Sequence, residues 1–281
     1  MGYQDYCYHI GIPIDSDASV AHANRIHEAI SYNAILGSSQ LAEERGVYDS
    51  YEGSLWDEGV LPIDSYRNLM EYRRTDVEDI KPTLDWGLVR KHIQNYGMRN
   101  SNTMAIAPTA TISYIQGCEQ SIEPSTSLFF TYKNLSGQNV CMNPMWYLKK
   151  DLEKEDLWSR ELCEKICLAY DGDISEIHDI PDKYKEIYKT AYNRDMKKLV
   201  EVAASRQKWI DQGQSFNIWY DGSSMKEVHE IYLKAWESGL KTTYYFRNQA
   251  ANTVKKTTDM TSHNDEEPAQ CTLGEECESC Q

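Results

Sequence analysis

The chain has 281 residues, a net charge of −15, and 41% hydrophobic against 26% charged residues. That length holds one large domain or two modest ones. The acidic balance argues against a protein that grips a nucleic-acid backbone, which needs clustered Lys and Arg. No run of 18 apolar residues offers a membrane span, and Met1-Gly2-Tyr3-Gln4-Asp5 lacks the basic flank and apolar stretch of a signal peptide. The expectation is a cytoplasmic protein with neither nucleic acid nor membrane as partner.

In chain order, residues 17–45 read as a helix. Val20, Ala23, Ile26, Ile30, Ala34 and Leu41 share its face, and Gly46 is its stop. Residues 47–63 form a loop closed by Pro62. A short helix is predicted from Ser65 and another over 84–96, ending at Gly97. Residues 103–107 are short and apolar, like a buried strand, and Pro108 breaks them. Segments 145–170 and 182–211 are predicted mostly helical, the second carrying Leu199, Val200, Ala203 and Ile210 at compatible spacing.

The clearest unit follows. Phe216–Tyr220 reads as a strand, and Ser224 with Glu227 forms a capping box. Met225, Val228, Ile231, Tyr232, Ala235 and Trp236 make a helical stripe. Gly239 stops it, and Lys241–Arg247 reads as a second strand. Strand, helix and strand in this compass make a βαβ unit with parallel strands, which need helices over their faces or a closed barrel. After Thr253 the character changes. Residues 257–281 hold seven Asp or Glu and no Lys or Arg, a composition that buries too little surface to order itself. Residues 254–281 are therefore read as a flexible acidic tail.

Tyrosine is over-used, 20 against 4 Phe, and most of these residues need no chemical role. Cys7, Cys118, Cys141, Cys163 and Cys167 are scattered and read as buried or reduced thiols. Cys271, Cys277 and Cys280 crowd into the last eleven residues.

Several segments together resemble one family. They are Met1-Gly2-Tyr3-Gln4-Asp5, Ile12-Pro13, Glu52-Gly53-Ser54-Leu55-Trp56 and Met98-Arg99-Asn100-Ser101-Asn102. With them go Ala105-Ile106-Ala107-Pro108-Thr109-Ala110-Thr111-Ile112-Ser113, Gln120-Ser121-Ile122-Glu123-Pro124 and Leu135-Ser136-Gly137. The series continues through Arg206-Gln207-Lys208-Trp209-Ile210-Asp211-Gln212 and Lys241-Thr242-Thr243-Tyr244-Tyr245-Phe246-Arg247, and ends in Cys277-Glu278-Ser279-Cys280-Gln281. In this order they resemble the C-terminal portion of the large, catalytic subunit of class I ribonucleotide reductases, toward the bacterial branch that includes chlamydial enzymes. The resemblance implies an α/β fold: residues 1–253 as the second half of a ten-stranded α/β barrel with parallel strands and surrounding helices. It implies reduction of ribonucleoside diphosphates to deoxyribonucleoside diphosphates.

Three motifs carry the expected chemistry. The loop Pro108, Thr109, Ala110, Thr111, Ile112, Ser113 follows the short strand. Its N–H groups and hydroxyls can cradle a diphosphate. Spacing alone favours an ordinary hydroxyl-rich turn; the resemblance makes it the substrate-phosphate loop. Tyr244-Tyr245 is, by composition, a commonplace strand pair. By resemblance it is a radical relay, Tyr244 receiving the radical and Tyr245 lying nearer the radical cysteine. A phenol loses an electron only as its proton leaves, and neighbours on a regular strand face opposite ways. A working pair therefore requires a local departure from strand geometry. Cys277-x-x-Cys280 on the tail implies a dithiol that exchanges with an active-site disulfide, since a flexible coil from 252 to 276 reaches roughly 25–30 Å. The alternative, a metal knuckle with Cys271 and His263, is disfavoured by the single Cys-x-x-Cys and its acidic flanks. Cys118 lacks the family's Asn-x-Cys-x-Glu context and reads as structural.

No Asn-x-Cys-x-Glu occurs in the chain. The resemblance implies that the radical cysteine, the reducing cysteine pair and the nucleotide-sensing region lie upstream. On this reading the chain is a split-gene product, a processed piece or a truncated frame. It binds no cofactor itself and depends on a complementary N-terminal half and on a small subunit holding a metal and radical cofactor. Thioredoxin or glutaredoxin is the expected reductant. Alone, half a barrel leaves open strand edges and is expected to aggregate or stay loosely folded. The rival readings are a cobalamin-dependent reductase fragment, with Tyr244 and Tyr245 structural, and a non-catalytic fragment that only binds reductase subunits.

Overall fold

The structure is a computed structural model that describes residues 1–75, 81–133, 139–142, 144–169 and 172–248. The acidic tail, with Cys277 and Cys280, lies outside the described residues.

Helix α1 (Tyr3–Ile10) opens the chain between Gly2 and Gly11, both in the left-handed region. Hydrophobic periodicity does not announce it, because it packs through phenols. Tyr3 donates to the Ser19 carbonyl at 2.8 Å, and Tyr8 stacks on Tyr188 with centroids 4.7 Å apart. Helix α2 (Asp17–Arg45) starts where Ser16 accepts the Ser19 N–H and ends at Gly46. Its length matches the expectation, and Val20, Ala23, Ile26 and Ala34 of the predicted face meet the core, but the rest of that face does not. Ile30 and Leu41 are exposed, whereas Ser19, Ala23, His27, Ser31, Ile35, Ser38, Ser39 and Ala42 are buried. Small residues let the neighbouring helices approach closely, and two of the hydroxyls find partners there: Ser39 meets His92 Nδ1 at 2.8 Å and Ser38 donates to Asn100 Oδ1 at 3.0 Å.

Helix α3 (Pro62–Arg73) begins three residues before the predicted start. Proline suits a first helical position, and the Asp64 carboxylate accepts the Leu61 N–H. Helix α4 (Trp86–Tyr96) is capped by Asp85 and closed at Gly97. Buried Glu28 of α2 collects four donors from the approach to α4: the N–H and hydroxyl of Thr83, the Leu84 N–H and the Trp86 indole. Trp86 in turn stacks on Trp209. Short helix α5 (Ile112–Gln116) follows. Strands β1 (Phe130–Lys133) and β2 (Asn139–Met142) pair antiparallel. Helices α6 (Met145–Glu153), α7 (Arg160–Ala169) and α8 (Asp182–Ile187) build a separate apolar cluster around Leu148, Leu152, Ile166 and Tyr188. Helix α9 (Met196–Gln207) buries Leu199, Val200 and Ala203, as its spacing predicts, and Ile210 beyond it is buried too.

The βαβ unit is present: β3 (Ile218–Tyr220), α10 (Met225–Glu237) and β4 (Phe246–Asn248), with β3 and β4 parallel. Both strands are shorter than predicted. Along α10, Ile231 and Ala235 are buried, while Met225, Tyr232 and Trp236 are exposed. The capping box is closed through a third residue. Ser224 accepts the Glu227 N–H, but the Glu227 carboxylate accepts from the Tyr220 phenol, which itself accepts the Ser224 N–H. The predicted strand at 103–107 is reduced to one parallel bridge, Ile106 with Gln214.

The barrel expectation is thereby narrowed. The fold is helix-rich, and among the described residues the strands form only two two-stranded sheets. A ten-stranded barrel, or half of one, is not what these residues display. The physical reason lies in the segments flanking β3 and β4. On the side of Ile106 the pairing is a single bridge, and Pro108, with no N–H, cannot continue it; on the other side it stops at β4 among the described residues. Among the described residues no helix is long and apolar enough to cross a membrane.

Candidate functional site

The segment 213–218 bonds both to Ile106, which leads into the loop, and to the backbones of Tyr244 and Tyr245. Ile106 donates its N–H to the Gly213 carbonyl at 3.3 Å and accepts from Ser215 at 2.8 Å. Pro108 follows two residues further along, and Tyr245 donates its N–H to Asn217 Oδ1 at 3.1 Å.

The loop turns on Thr109, whose φ of 52° lies in the left-handed region where a β-branched residue is rare. That turn is pinned by its own side chain: Thr109 Oγ1 accepts the Ser121 N–H at 2.7 Å. The chain then enters α5. Ser113 is buried, its N–H donating to the Thr109 carbonyl at 3.0 Å and its hydroxyl to the Ala110 carbonyl at 3.3 Å. Pro108, Ala110, Thr111 and Ile112 are exposed. The backbone N–H groups of Ala110, Thr111 and Ile112 make no hydrogen bond within the described structure. Together with the Thr111 hydroxyl they form a donor-rich rim open to solvent.

The tyrosine pair meets the requirement for two adjacent phenols to act together. The phenol oxygens are 3.1 Å apart, Tyr244 donating to Tyr245, and the ring centroids are 4.0 Å apart at 50°. Both rings are about half exposed, 46% and 49%. The Tyr244 phenol is raised from its ordinary pKa, first because it donates its proton to Tyr245. The Arg247 guanidinium lies over the Tyr245 ring, 4.6 Å from its centroid.

Behind the pair sits a buried carboxylate that sequence reasoning did not single out. Glu123, 4% exposed, accepts the Asn217 N–H at 2.9 Å on one oxygen and the Trp219 indole N–H at 2.9 Å on the other. Burial pushes its pKa up to about 7, against the pull of those two donors and of Arg206 and Arg247. Fully buried Arg206 is pushed down to about 10 by the same desolvation; its Nε donates to Gln214 Oε1 at 2.9 Å and its head lies over the Tyr3 ring. The available signal was a Glu between Ile122 and Pro124, a charge set in an apolar run.

Cys118 is half-buried beside Gly2, with burial raising its thiol; like Cys7, Cys163 and Cys167 it forms no disulfide among the described residues. Among the described residues no group of three or more His, Cys, Asp or Glu could hold a metal ion. A cleft of about 890 Å³ opens between α2, α3, α9 and α10, lined among others by Asp17, Tyr66, Glu201 and Lys208, but none of the predicted site residues lines it.

Residues 1–246 match the family described as ribonucleotide reductase, barrel domain, and the chain belongs to it. Among curated relatives it is similar to the ribonucleoside-diphosphate reductase subunit alpha of Chlamydia pneumoniae. That match is 41% identical and spans all of this chain and 29% of the relative. It is also similar to the large subunit of Plasmodium falciparum, 36% identical over 92% of this chain and 31% of the relative. Among solved structures, the Actinobacillus ureae class Id ribonucleotide reductase alpha subunit superposes with a TM-score of 0.61 at 26% identity, covering 88% of this chain and 38% of that one. The chain thus spans under a third of the curated relatives' length and corresponds to their C-terminal portion.

Proposed function

We propose that this chain supplies three parts of a ribonucleoside-diphosphate reductase: the substrate-phosphate loop at 108–113, a radical relay at Tyr244 and Tyr245, and a thiol shuttle at Cys277 and Cys280. The observation that carries the reading is the phenol pair. With Tyr244 oxidised to its neutral radical, the proton on the Tyr245 oxygen crosses 3.1 Å to Tyr244 as one electron passes between rings 4.0 Å apart. Tyr244 is then a phenol again and Tyr245 the radical, with no ion left behind in either ring. Half-exposed rings suit a contact with a partner that injects the radical and another that receives it.

The loop's part is electrostatic. Three backbone N–H groups and a hydroxyl at the end of a short strand suit phosphate oxygens without a lysine. The tail cysteines regenerate a spent dithiol by exchange, and thioredoxin or glutaredoxin re-reduces them. The radical cysteine comes from a complementary chain carrying an Asn-x-Cys-x-Glu loop, and the radical from a small subunit with its own metal and radical cofactor. Without both, this chain is inactive.

The test is nucleoside-diphosphate reduction by this chain mixed with the complementary N-terminal half, the small subunit and a dithiol system. Turnover is expected, and Tyr245→Phe abolishes it. Complex formation without turnover would leave a fragment that only binds reductase subunits. Turnover that survives Tyr245→Phe and needs no small subunit would favour cobalamin chemistry.

A further inference from the structure

The hydrogen-bond ladders on both edges of β3 break at one residue, Asn217. On the edge toward Ile106, the bonds of Gly213 and Ser215 to Ile106 are regular. The next N–H on that edge belongs to Asn217. No strand residue meets it, and the Glu123 carboxylate takes it at 2.9 Å. On the other edge, Ile218 pairs with Phe246, Trp219 with Arg247 and Tyr220 with Asn248. Carried back by two residues, that register has the Phe216 carbonyl accept from Tyr245. It accepts from Tyr244 instead, at 2.8 Å, while the Ile218 N–H donates to the Tyr245 carbonyl at 2.9 Å. Tyr244 and Tyr245 therefore both oppose the single residue Asn217, which makes a β-bulge.

A bulge leaves one ladder donor over. Here it is the Tyr245 N–H, and the Asn217 side chain catches it, Oδ1 accepting at 3.1 Å. Asn217 is thus held through its own N–H by Glu123 and holds the displaced N–H through its amide. Glu123 is fixed in turn by the Trp219 indole on its second oxygen, with Arg206 of α9 and Arg247 of β4 as the attractive charges around it. Arg247 closes the arrangement over the Tyr245 ring.

We propose that Asn217, backed by Glu123, is a positioning residue that locks this bulge and thereby turns both phenols to one side. The regular alternative differs by a one-residue slip: Tyr245 would bond to Phe216 and the two side chains would face opposite ways. The Asn217 amide favours the bulged form because it alone satisfies the extra donor. This proposal rests on the relay reading of Tyr244 and Tyr245 for its purpose, but not for its geometry.

The experiment places 3-fluorotyrosine at position 245 in the full 281-residue chain, with a second sample labelled at Tyr72, which is 87% exposed, as the solvent reference. Fluorine NMR is recorded for the parent chain, Asn217→Leu and Asn217→Asp, with circular dichroism showing equal helix content. Asn217→Leu keeps the bulk and loses the acceptor; Asn217→Asp keeps the acceptor. The expected result is that the 245 resonance shifts toward the Tyr72 reference in Asn217→Leu and returns to its parent position in Asn217→Asp, while the Tyr72 resonance does not move. A 245 resonance unchanged in Asn217→Leu, or displaced equally in both variants, overturns the lock. So does helix content lost in Asn217→Leu and Asn217→Asp alike, which would make the residue a general structural one. In the reconstituted mixture, Asn217→Leu loses turnover without a change in KM and Asn217→Asp recovers it. If the resonances behave as expected but Tyr245→Phe retains turnover, the lock stands and the relay reading falls.

Discussion

The loop at 108–113 and the tyrosine pair at 244–245 flank the same strand yet are held differently. The loop is tied by one side-chain bond, Thr109 to Ser121, and by local bonds of Ser113. The pair is tied by a bulge whose extra donor leads through Asn217 to a buried carboxylate. In both, the groups proposed to carry chemistry face solvent and the anchor lies beneath. An anion-binding rim tolerates adjustment, because phosphate oxygens accept from many directions. Two phenols that exchange a hydrogen need a fixed oxygen-to-oxygen distance, so the deeper anchor sits where geometry matters more.

Breaking the deep anchor has the largest expected effect. Glu123→Leu strands the Asn217 N–H and the Trp219 indole N–H without an acceptor. It should cost about 3 kcal/mol in a urea titration, whereas Glu123→Gln, which keeps one acceptor, costs less. A comparable effect comes through pH at His27, buried in α2 with its Nδ1 against the Ala23 carbonyl at 2.8 Å. Burial first, and Arg206 second, push its pKa down to about 4. The folded state therefore binds the proton less readily than the unfolded chain. Stability from this group is full above the ordinary histidine value near 6.5 and is lost as pH falls toward 4, on the order of 3 kcal/mol. Glu119 and Glu123, both raised to about 7, act in the opposite sense: what they contribute at low pH is lost as pH rises through 7. The decisive measurement is the difference between the pH–stability curves of the parent and His27→Gln, in which the carboxyl contributions cancel.

Smaller effects sharpen the contrast from the loop side. Thr109→Val removes the acceptor for Ser121 and should cost about 1 kcal/mol, while Thr109→Ser retains the bond; thermal melts of the two variants separate them. The smallest structural effect belongs to the pair itself. Tyr245→Phe removes an exposed hydroxyl and should change stability by less than about 0.5 kcal/mol, although turnover in the reconstituted mixture is lost. A large stability loss in Tyr245→Phe would mean that the phenol pair is itself a structural anchor.

Much of this was legible in the chain. The βαβ unit, the cap at Ser224 and the stops at Gly46 and Gly97 follow from local rules, because caps and turns are decided by groups a few residues apart. The segments resembling the reductase family named the loop and the tyrosine pair, and the match over residues 1–246 bears out the family. Local rules also announced that paired phenols on a strand must break its alternation.

Tertiary structure decided the rest. The inward face of α2 is lined by serines and alanines, because close helix contact selects for size and for paired hydroxyls over hydrophobicity. Periodicity of apolar residues therefore placed Val20, Ala23, Ile26 and Ala34 against the cores but missed the buried serines and wrongly turned Ile30 and Leu41 inward. The strand at 103–107 shrank to a bridge, since pairing depends on what neighbours it and not on its own residues. The roles of Glu123 and Asn217 join positions 94 residues apart, and no spacing rule reaches that far. What the sequence by itself determined is the family; the residues proposed to carry its chemistry were named by resemblance. Only the folded chain decided how an extra residue opposite Asn217 brings two phenols together, because a bulge exists in the register between strands and not in either strand alone.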